Sequence, residues 1–205
     1  GVVTAFAGMV TVRITITGES NHAGATPMNM RLDPLVAAAK LICRVQEIAA
    51  HQCGPATVAT VGEILCSPNM PNVIPGQVSF TVDIRDIRDE GIDQALELLQ
   101  KALEEPRAEG YTVALETIGR NPPVLMTERV VSAVREAAES CGVPYLDMNS
   151  GAVHDTSMLA LTTDVGMIFI PSVDGKSHNP EEYTAPEDIA LGCQVLLETT
   201  LRLTR

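Results

Sequence analysis

Residues 9–17 read MVTVRITIT. Val10, Val12, Ile14 and Ile16 face one way and Thr11, Arg13, Thr15 and Thr17 the other, a period of two that predicts a strand with one buried face. The stretch after it, GESNHAGATPMNMR, is too rich in Gly, Asn and Pro for regular structure. Asp33-Pro34 then opens a helix, with Asp at the N-cap and Pro at the first helical position, and apolar residues recur at helical spacing to about Ala50. Strands are expected at 56–66 and 77–87, separated by the loop SPNMPNVIPG, an amphipathic helix at 90–105 and a further strand at 111–119. The order is β-α-β-β-α-β, the split βαβ pattern of a ferredoxin-like α+β domain: a four-stranded antiparallel sheet with two helices on one face.

Outside that block the pattern changes. Residues 127–140 predict a helix, VPYLDM a short strand, SGAVHDTSMLAL a loop running into a helix, and VGMIFIPS (165–172) a strand buried on both faces. A helix follows, with Thr184 as N-cap and Glu187 closing a capping box. This β-α alternation suggests part of a parallel α/β sheet. The expected division is a catalytic-domain segment at 1–7, a complete lid-sized domain at 8–118 and the C-terminal part of the α/β domain at 119–205. The opening GVVTAFAG lacks the charged start of a signal peptide and reads as the tail of a buried strand, as if cut from a longer chain.

The chain has 205 residues, 45% of them apolar and 20% charged, the profile of a soluble globular protein. No apolar run approaches the ~18–20 residues of a membrane span. With 14 Lys and Arg against 26 Asp and Glu the net charge is −12, a surface that repels phosphate backbones. Trp is absent and aromatics are 3%, so base-stacking platforms are missing as well. Neither nucleic acid nor membrane is an expected partner. The five cysteines (Cys43, Cys53, Cys66, Cys141, Cys193) are odd in number and widely spaced, without a C-x-x-C; they read as buried free thiols in a reducing cytoplasm.

Three histidines fall in loops: His22 in SNHAGATPM, His154 in SGAVHDT and His178 in GKSHNPEEYT. Loops at strand ends are where α/β proteins place their sites, although by sequence alone a loop imidazole is more often structural than catalytic. His51, at a helix end, reads as solvated or capping. His154, Asp155, His178, Glu181 and Glu182 are the candidates for a metal cluster, but no H-E-x-x-H or H-x-D motif fixes a common centre. G-x-S-x-G and Gly-rich phosphate loops are absent. Asn72 lies in PNMPNVIPG. Arg85, in VDIRDI, is either a surface residue paired with Asp83 or Asp86 or a bidentate clamp for a substrate carboxylate.

The stretches NHAGATPMNMRLDPLVAAAKLI, PNVIPGQVSFTVDIR, SGAVHDT and FIPSVDGKSHNPEEYT, in that order along nearly the whole chain, resemble the amidohydrolases that include allantoate amidohydrolases and N-carbamoyl-L-amino-acid hydrolases, within the dinuclear metallopeptidase superfamily. The resemblance implies an α/β metallohydrolase catalytic domain interrupted by a ferredoxin-like lid through which the enzyme forms a homodimer. His178 would ligate one of two metals, zinc or manganese. His22 would enter the partner subunit's site and stabilise an oxyanion, with Asn72 beside it, and Arg85 would grip the carboxylate of a small substrate. Gly151, Ala152, Val153 and His154 would line the same pocket, although the family usually has Gly where this chain has Val153.

The activity so implied is hydrolysis of a non-peptide C–N bond in a linear amide or ureido acid. The family's other metal ligands lie N-terminal to its lid, so the 205 residues alone are expected to be metal-poor and catalytically silent. The alternative is a non-catalytic ferredoxin-like module that dimerises or binds a small carboxylate. The first hypothesis expects His22, Asn72 and Arg85 to converge on a pocket shared between subunits; the alternative expects them to point apart.

Overall fold

The structure, a computed structural model, describes residues 1–204. It divides into two compact units, one made of Gly1–Ala7 with the chain from Val124 onward, the other of Gly8–Pro123. In chain order, β1 (Val2–Phe6) belongs to the first unit. The second holds β2 (Gly8–Thr17), β3 (Asn21–His22), α1 (Pro34–His51), β4 (Val58–Ser67), β5 (Val73–Ile74), β6 (Gln77–Asp86), α2 (Asp89–Ala102), α3 (Glu104–Ala108) and β7 (Thr112–Asn121). The chain then returns to the first unit with β8 (Val124–Leu125), α4 (Glu128–Ser140), β9 (Asp147–Ser150), α5 (Thr156–Leu159), β10 (Met167–Ile168) and α6 (Pro186–Leu203).

In the 8–123 unit the alternation of β2 does what its period requires. Val10, Val12, Ile14 and Ile16 are buried, and they pack with Val78, Phe80, Val82 and Ile84 of β6 beneath Ala38, Leu41, Val45 and Ile48 of α1 and Ile92, Ala95 and Leu99 of α2. The sheet order is β4-β6-β2-β7 with every pairing antiparallel. Asp33 caps α1 by accepting from the Leu35 N–H at 3.0 Å, and Pro34 fills the first helical position. The helix expected over 90–105 ends instead at Ala102, and α3 begins after Leu103. Pro106 is the reason: it has no N–H to donate to Ala102, but it is tolerated in the first turn of a new helix. A second, two-stranded ribbon pairs β3 with β5.

In the other unit β1 pairs antiparallel with β8 and β10 and parallel with β9 alone, so the sheet is mixed rather than parallel. The apolar run at 165–172 is also not a strand buried on both faces. Only Met167 and Ile168 are in β10, both half-buried, because β10 is hydrogen-bonded to β1 alone. Val2, Val3 and Phe6 pack with Val131, Val134, Ala137 and Ala138 of α4 and Val195 of α6. Thr184 is not the cap of α6. Its hydroxyl donates to the Pro171 carbonyl at 2.7 Å, and the helix starts at Pro186 after Ala185.

The cysteine thiols are free, but none is buried: Cys43 and Cys193 are exposed and the other three half-buried. Among the described residues no helix is long and apolar enough to cross a membrane.

Candidate functional site

His22 and Asn72 are brought together by the β3–β5 ribbon. Asn21 pairs with Ile74 and His22 with Val73, and the Ala23 N–H donates to the Asn72 carbonyl at 3.0 Å. The ribbon is tied to the end of the main sheet where β2 stops and β6 starts, through Gly18 N–H to the Gly76 carbonyl at 3.0 Å. Both His22 and Asn72 are exposed.

The chain after His22 folds back around its own ring. The amides of Gly24 and Ala25 donate to His22 Nδ1 at 3.0 and 3.1 Å. The Thr26 hydroxyl and the Ala25 and Thr26 amides return to the His22 carbonyl. An Nδ1 that accepts two hydrogen bonds cannot carry the proton, so the neutral ring is an N–H donor through Nε2. Asn72, close to His22 along the ribbon, carries a side-chain amide that can also donate.

Arg85 lies elsewhere. It is near the far end of the ten-residue β6, paired with Met9 of β2 and Val58 of β4. That end of the sheet is where the chain enters the unit at Gly8 and leaves it at Pro123. At 3.4 Å per residue, the eight steps from Gln77 to Arg85 span about 27 Å. One chain therefore does not bring Arg85 to His22 and Asn72. Asp83, on the same face of β6, accepts from Arg85 Nε at 2.7 Å. That hydrogen bond, opposed by burial and helped by Asp83's charge, holds the guanidinium pKa above its ordinary value.

In the other unit, Ser150 is buried and its hydroxyl lies 2.7 Å from His154 Nε2, while the Ala152 amide donates to the same hydroxyl at 3.2 Å. The His154 ring meets Phe6 edge-on, with ring centres 5.6 Å apart, and Phe169 at 6.0 Å. These contacts pin the turn 150–154 that carries Gly151, Ala152 and Val153. Val153 is not among the residues with positive φ, so the backbone there does not demand glycine. His178 is exposed, with φ of 56°, and its amide donates to Glu182 Oε2 at 2.9 Å.

Zinc- and manganese-type centres take three or four His, Cys or carboxylate ligands each. Among the described residues no three such side chains are grouped to hold an ion, and Glu181 is engaged by Lys176. The described residues do not by themselves make up the ligand set of a metal centre.

Residues 6–202 match the model of peptidase family M20/M25/M40. The chain belongs to that family. It is 40% identical over 204 residues to an N-carbamoyl-L-amino acid amidohydrolase of Geobacillus stearothermophilus, covering 99% of this chain and 49% of that protein. It is 37% identical over 201 residues to an allantoate amidohydrolase of Escherichia coli, covering 96% and 48%. Among solved structures, a hydantoinase/carbamoylase family amidase from Burkholderia multivorans superposes with a TM-score of 0.90 at 42% identity, over 98% of this chain and 49% of that one. The chain spans about half the length of these M20 relatives.

Several groups that hold candidate site residues lie within the quoted stretches without standing out there. Ser150, Asp83 and Arg31, which donates from Nε and Nη2 to the Thr26 carbonyl and from Nη2 to the Ala23 carbonyl, act by holding other residues. Arg85 and Asp83 stand two apart on a strand, and only that spacing signalled their pairing.

Proposed function

We propose that the chain is the lid-bearing half of a dimeric M20 amidohydrolase that cleaves a non-peptide C–N bond in a small ureido or amide acid, such as an N-carbamoyl amino acid or allantoate. The 8–123 unit is the lid, a ferredoxin-like split βαβ domain; the strand order β4-β6-β2-β7 with antiparallel pairing supports this. The single observation that carries the functional assignment is the His22 ring, locked by the Gly24 and Ala25 amides as an Nε2–H donor beside Asn72.

In hydrolysis of a ureido or amide carbon, negative charge develops on the carbonyl oxygen. His22 and Asn72 donate to it from fixed positions, without reorganising at the moment of reaction. Arg85, already oriented by Asp83, supplies the planar fork that suits a carboxylate. Gly151, Ala152, Val153 and His154, in the 150–154 turn, are substrate-binding residues in this assignment. Two divalent ions, zinc or manganese, belong to the whole protein in this assignment. His178 is the one ligand offered here, and the rest come from the half of the relatives' length that this chain does not span.

Dimerisation through the lid is part of the proposal. β4 forms one edge of the sheet and exposes Val58, Ile64 and Leu65, and an unpaired apolar edge is satisfied by a two-fold mate.

Steady-state kinetics of the whole protein on an N-carbamoyl amino acid and on allantoate provide the test. His22→Ala and Asn72→Ala should each lower kcat by about 10²–10³, and Arg85→Ala should raise KM. Unchanged kcat in both donor variants, with folding intact, would leave the non-catalytic module instead.

A further inference from the structure

We infer that Arg31 is a positioning residue for His22: it fixes which nitrogen of the imidazole carries the proton by holding the loop whose amides face the ring. The inference deepens the assignment of His22 as a donor and rests on it.

The ring's state depends on two backbone amides, those of Gly24 and Ala25, which reach Nδ1 at 3.0 and 3.1 Å. Amides are aimed by the peptide planes on either side of them. The Ala23 carbonyl, which shares its peptide plane with the Gly24 N–H, and the Thr26 carbonyl, two peptide planes beyond the Ala25 N–H, are both engaged by one side chain. Arg31 Nη2 donates to the Ala23 carbonyl at 2.5 Å and to the Thr26 carbonyl at 2.9 Å, and Nε donates to the Thr26 carbonyl at 3.0 Å. The opposite side of the Ala23 peptide is pinned too, because its N–H donates to the Asn72 carbonyl. The loop is thus stretched between the β5 side of the ribbon and a half-buried guanidinium.

The chemistry suits arginine alone. The guanidinium is always protonated, has five N–H groups in a rigid plane, and can satisfy two carbonyls at once without flexing. A lysine ammonium is a point donor on a flexible stem, so it can replace one of the two attachments but does not set the angle between them. Gly24 cannot hold the loop, since it has no side chain and the highest backbone freedom. Without Arg31, residues 24–26 keep only bonds that return to His22, and Ala23 keeps only its N–H bond to the Asn72 carbonyl. The imidazole would then sample both neutral tautomers, and the proton would be at Nε2 for only part of the time. Arg31 also serves the site without touching it, since its hydrogen bonds are to backbone oxygens.

The test is the imidazole nitrogen spectrum of His22, recorded on the 15N-labelled 205-residue chain and assigned by its loss in His22→Ala. The native chain should show a single neutral tautomer with the proton on Nε2. Arg31→Gln, with an unchanged far-UV circular dichroism spectrum, should show an averaged pattern with both nitrogens sharing the proton, and Arg31→Lys an intermediate one. An unchanged His22 pattern in Arg31→Gln overturns the inference. So does global loss of structure in that variant, because Arg31 would then be supporting the fold rather than aiming a loop.

In the whole protein, Arg31→Gln should lower kcat on a carbamoyl substrate by about ten-fold or more, with KM nearly constant, and by less than His22→Ala does. If the spectrum changes while kcat stays level, Arg31 does position His22 but the donor role assigned to His22 fails; the two ideas are separated by the two readouts.

Discussion

Replacing Thr57 by Val removes one oxygen from the interior of the 8–123 unit, and the structure sets how much that should cost. Asp86 is fully buried at the end of β6, and Thr57 is nearly so. The Thr57 hydroxyl donates to Asp86 Oδ2 at 2.5 Å, and the Arg88 amide, next to the start of α2, donates to Oδ1 at 2.9 Å. Arg88 Nε stands at 3.8 Å and is mostly in solvent, so it contributes charge but little geometry. Valine keeps the volume of threonine, so the change in packing is small and the loss is that of one hydrogen bond to a charged, desolvated group. Such a bond is worth about 1.5–3 kcal/mol, and its loss is felt in full when the acceptor stays buried. We expect Thr57→Val to lower stability by about 2 kcal/mol. Urea unfolding followed by far-UV circular dichroism measures it; tryptophan fluorescence is not an option, since the chain has no Trp. Asp86→Asn supplies the second arm of a double-mutant cycle, and the double variant should lose less than the sum of the two single losses because the Thr57–Asp86 bond is counted in both but broken once. A loss below about 0.5 kcal/mol for Thr57→Val, the range of an ordinary surface change, would refute the reasoning.

The same buried carboxylate explains why residue 91 is glycine: a Cβ there would fall on the Asp86 carboxylate, so Gly91→Ala should destabilise by about 1–3 kcal/mol, while Gly62→Ala, with open space around it, should not lower the melting temperature. Burial, and then the charge of Asp86, raise the pKa of the Cys53 thiol. Less of it is thiolate at mildly alkaline pH, and mass spectrometry after brief iodoacetamide treatment should find Cys53 modified more slowly than the exposed Cys43 and Cys193. His178 has φ of 56°, a region that costs a residue with a Cβ about 1 kcal/mol or more and glycine far less, so His178→Gly should leave the melting temperature unchanged or raise it.

Regular structure was legible wherever burial imposes a period. β2 and β6 alternate because one face of each meets α1 and α2, and Asp33-Pro34 marks the start of α1 because cap chemistry is local. The two-residue strands β3 and β5 were not legible, since Asn21-His22 and Val73-Ile74 are too short to carry any period. The run 165–172 misled for the opposite reason. Its apolar composition reports partial burial against one neighbouring strand, which composition alone cannot distinguish from burial on two sides. Candidate site residues were named where a motif carries them. Arg31 escaped because it bonds only to carbonyls, and backbone partners leave no trace in the identity of residues 23 and 26.

The separation inside the 8–123 unit leads to the strictest test of the proposed dimer. Donors at one end of the sheet and Arg85 about 27 Å along β6 cannot touch one small acid at the same time. If both act on a single substrate molecule, they come from two chains: Arg85 from one protomer and the His22–Asn72 pair from its mate. Consider two variants of the whole protein impaired at low substrate concentration, His22→Ala and Arg85→Ala, dissociated together and reassociated. In a mixed dimer, one site receives the intact Arg85 of the first variant and the intact His22 of the second, while the other site lacks both. With random pairing, half the dimers are mixed and half their sites are whole, so about one quarter of native activity should return. If each protomer instead supplied both groups to its own site, every site would lack one of them and mixing would restore nothing. Recovery of activity on mixing therefore requires both the dimer and the division of labour between its lids, and its absence, with mixed dimers demonstrated by native mass spectrometry, would dismiss the shared site.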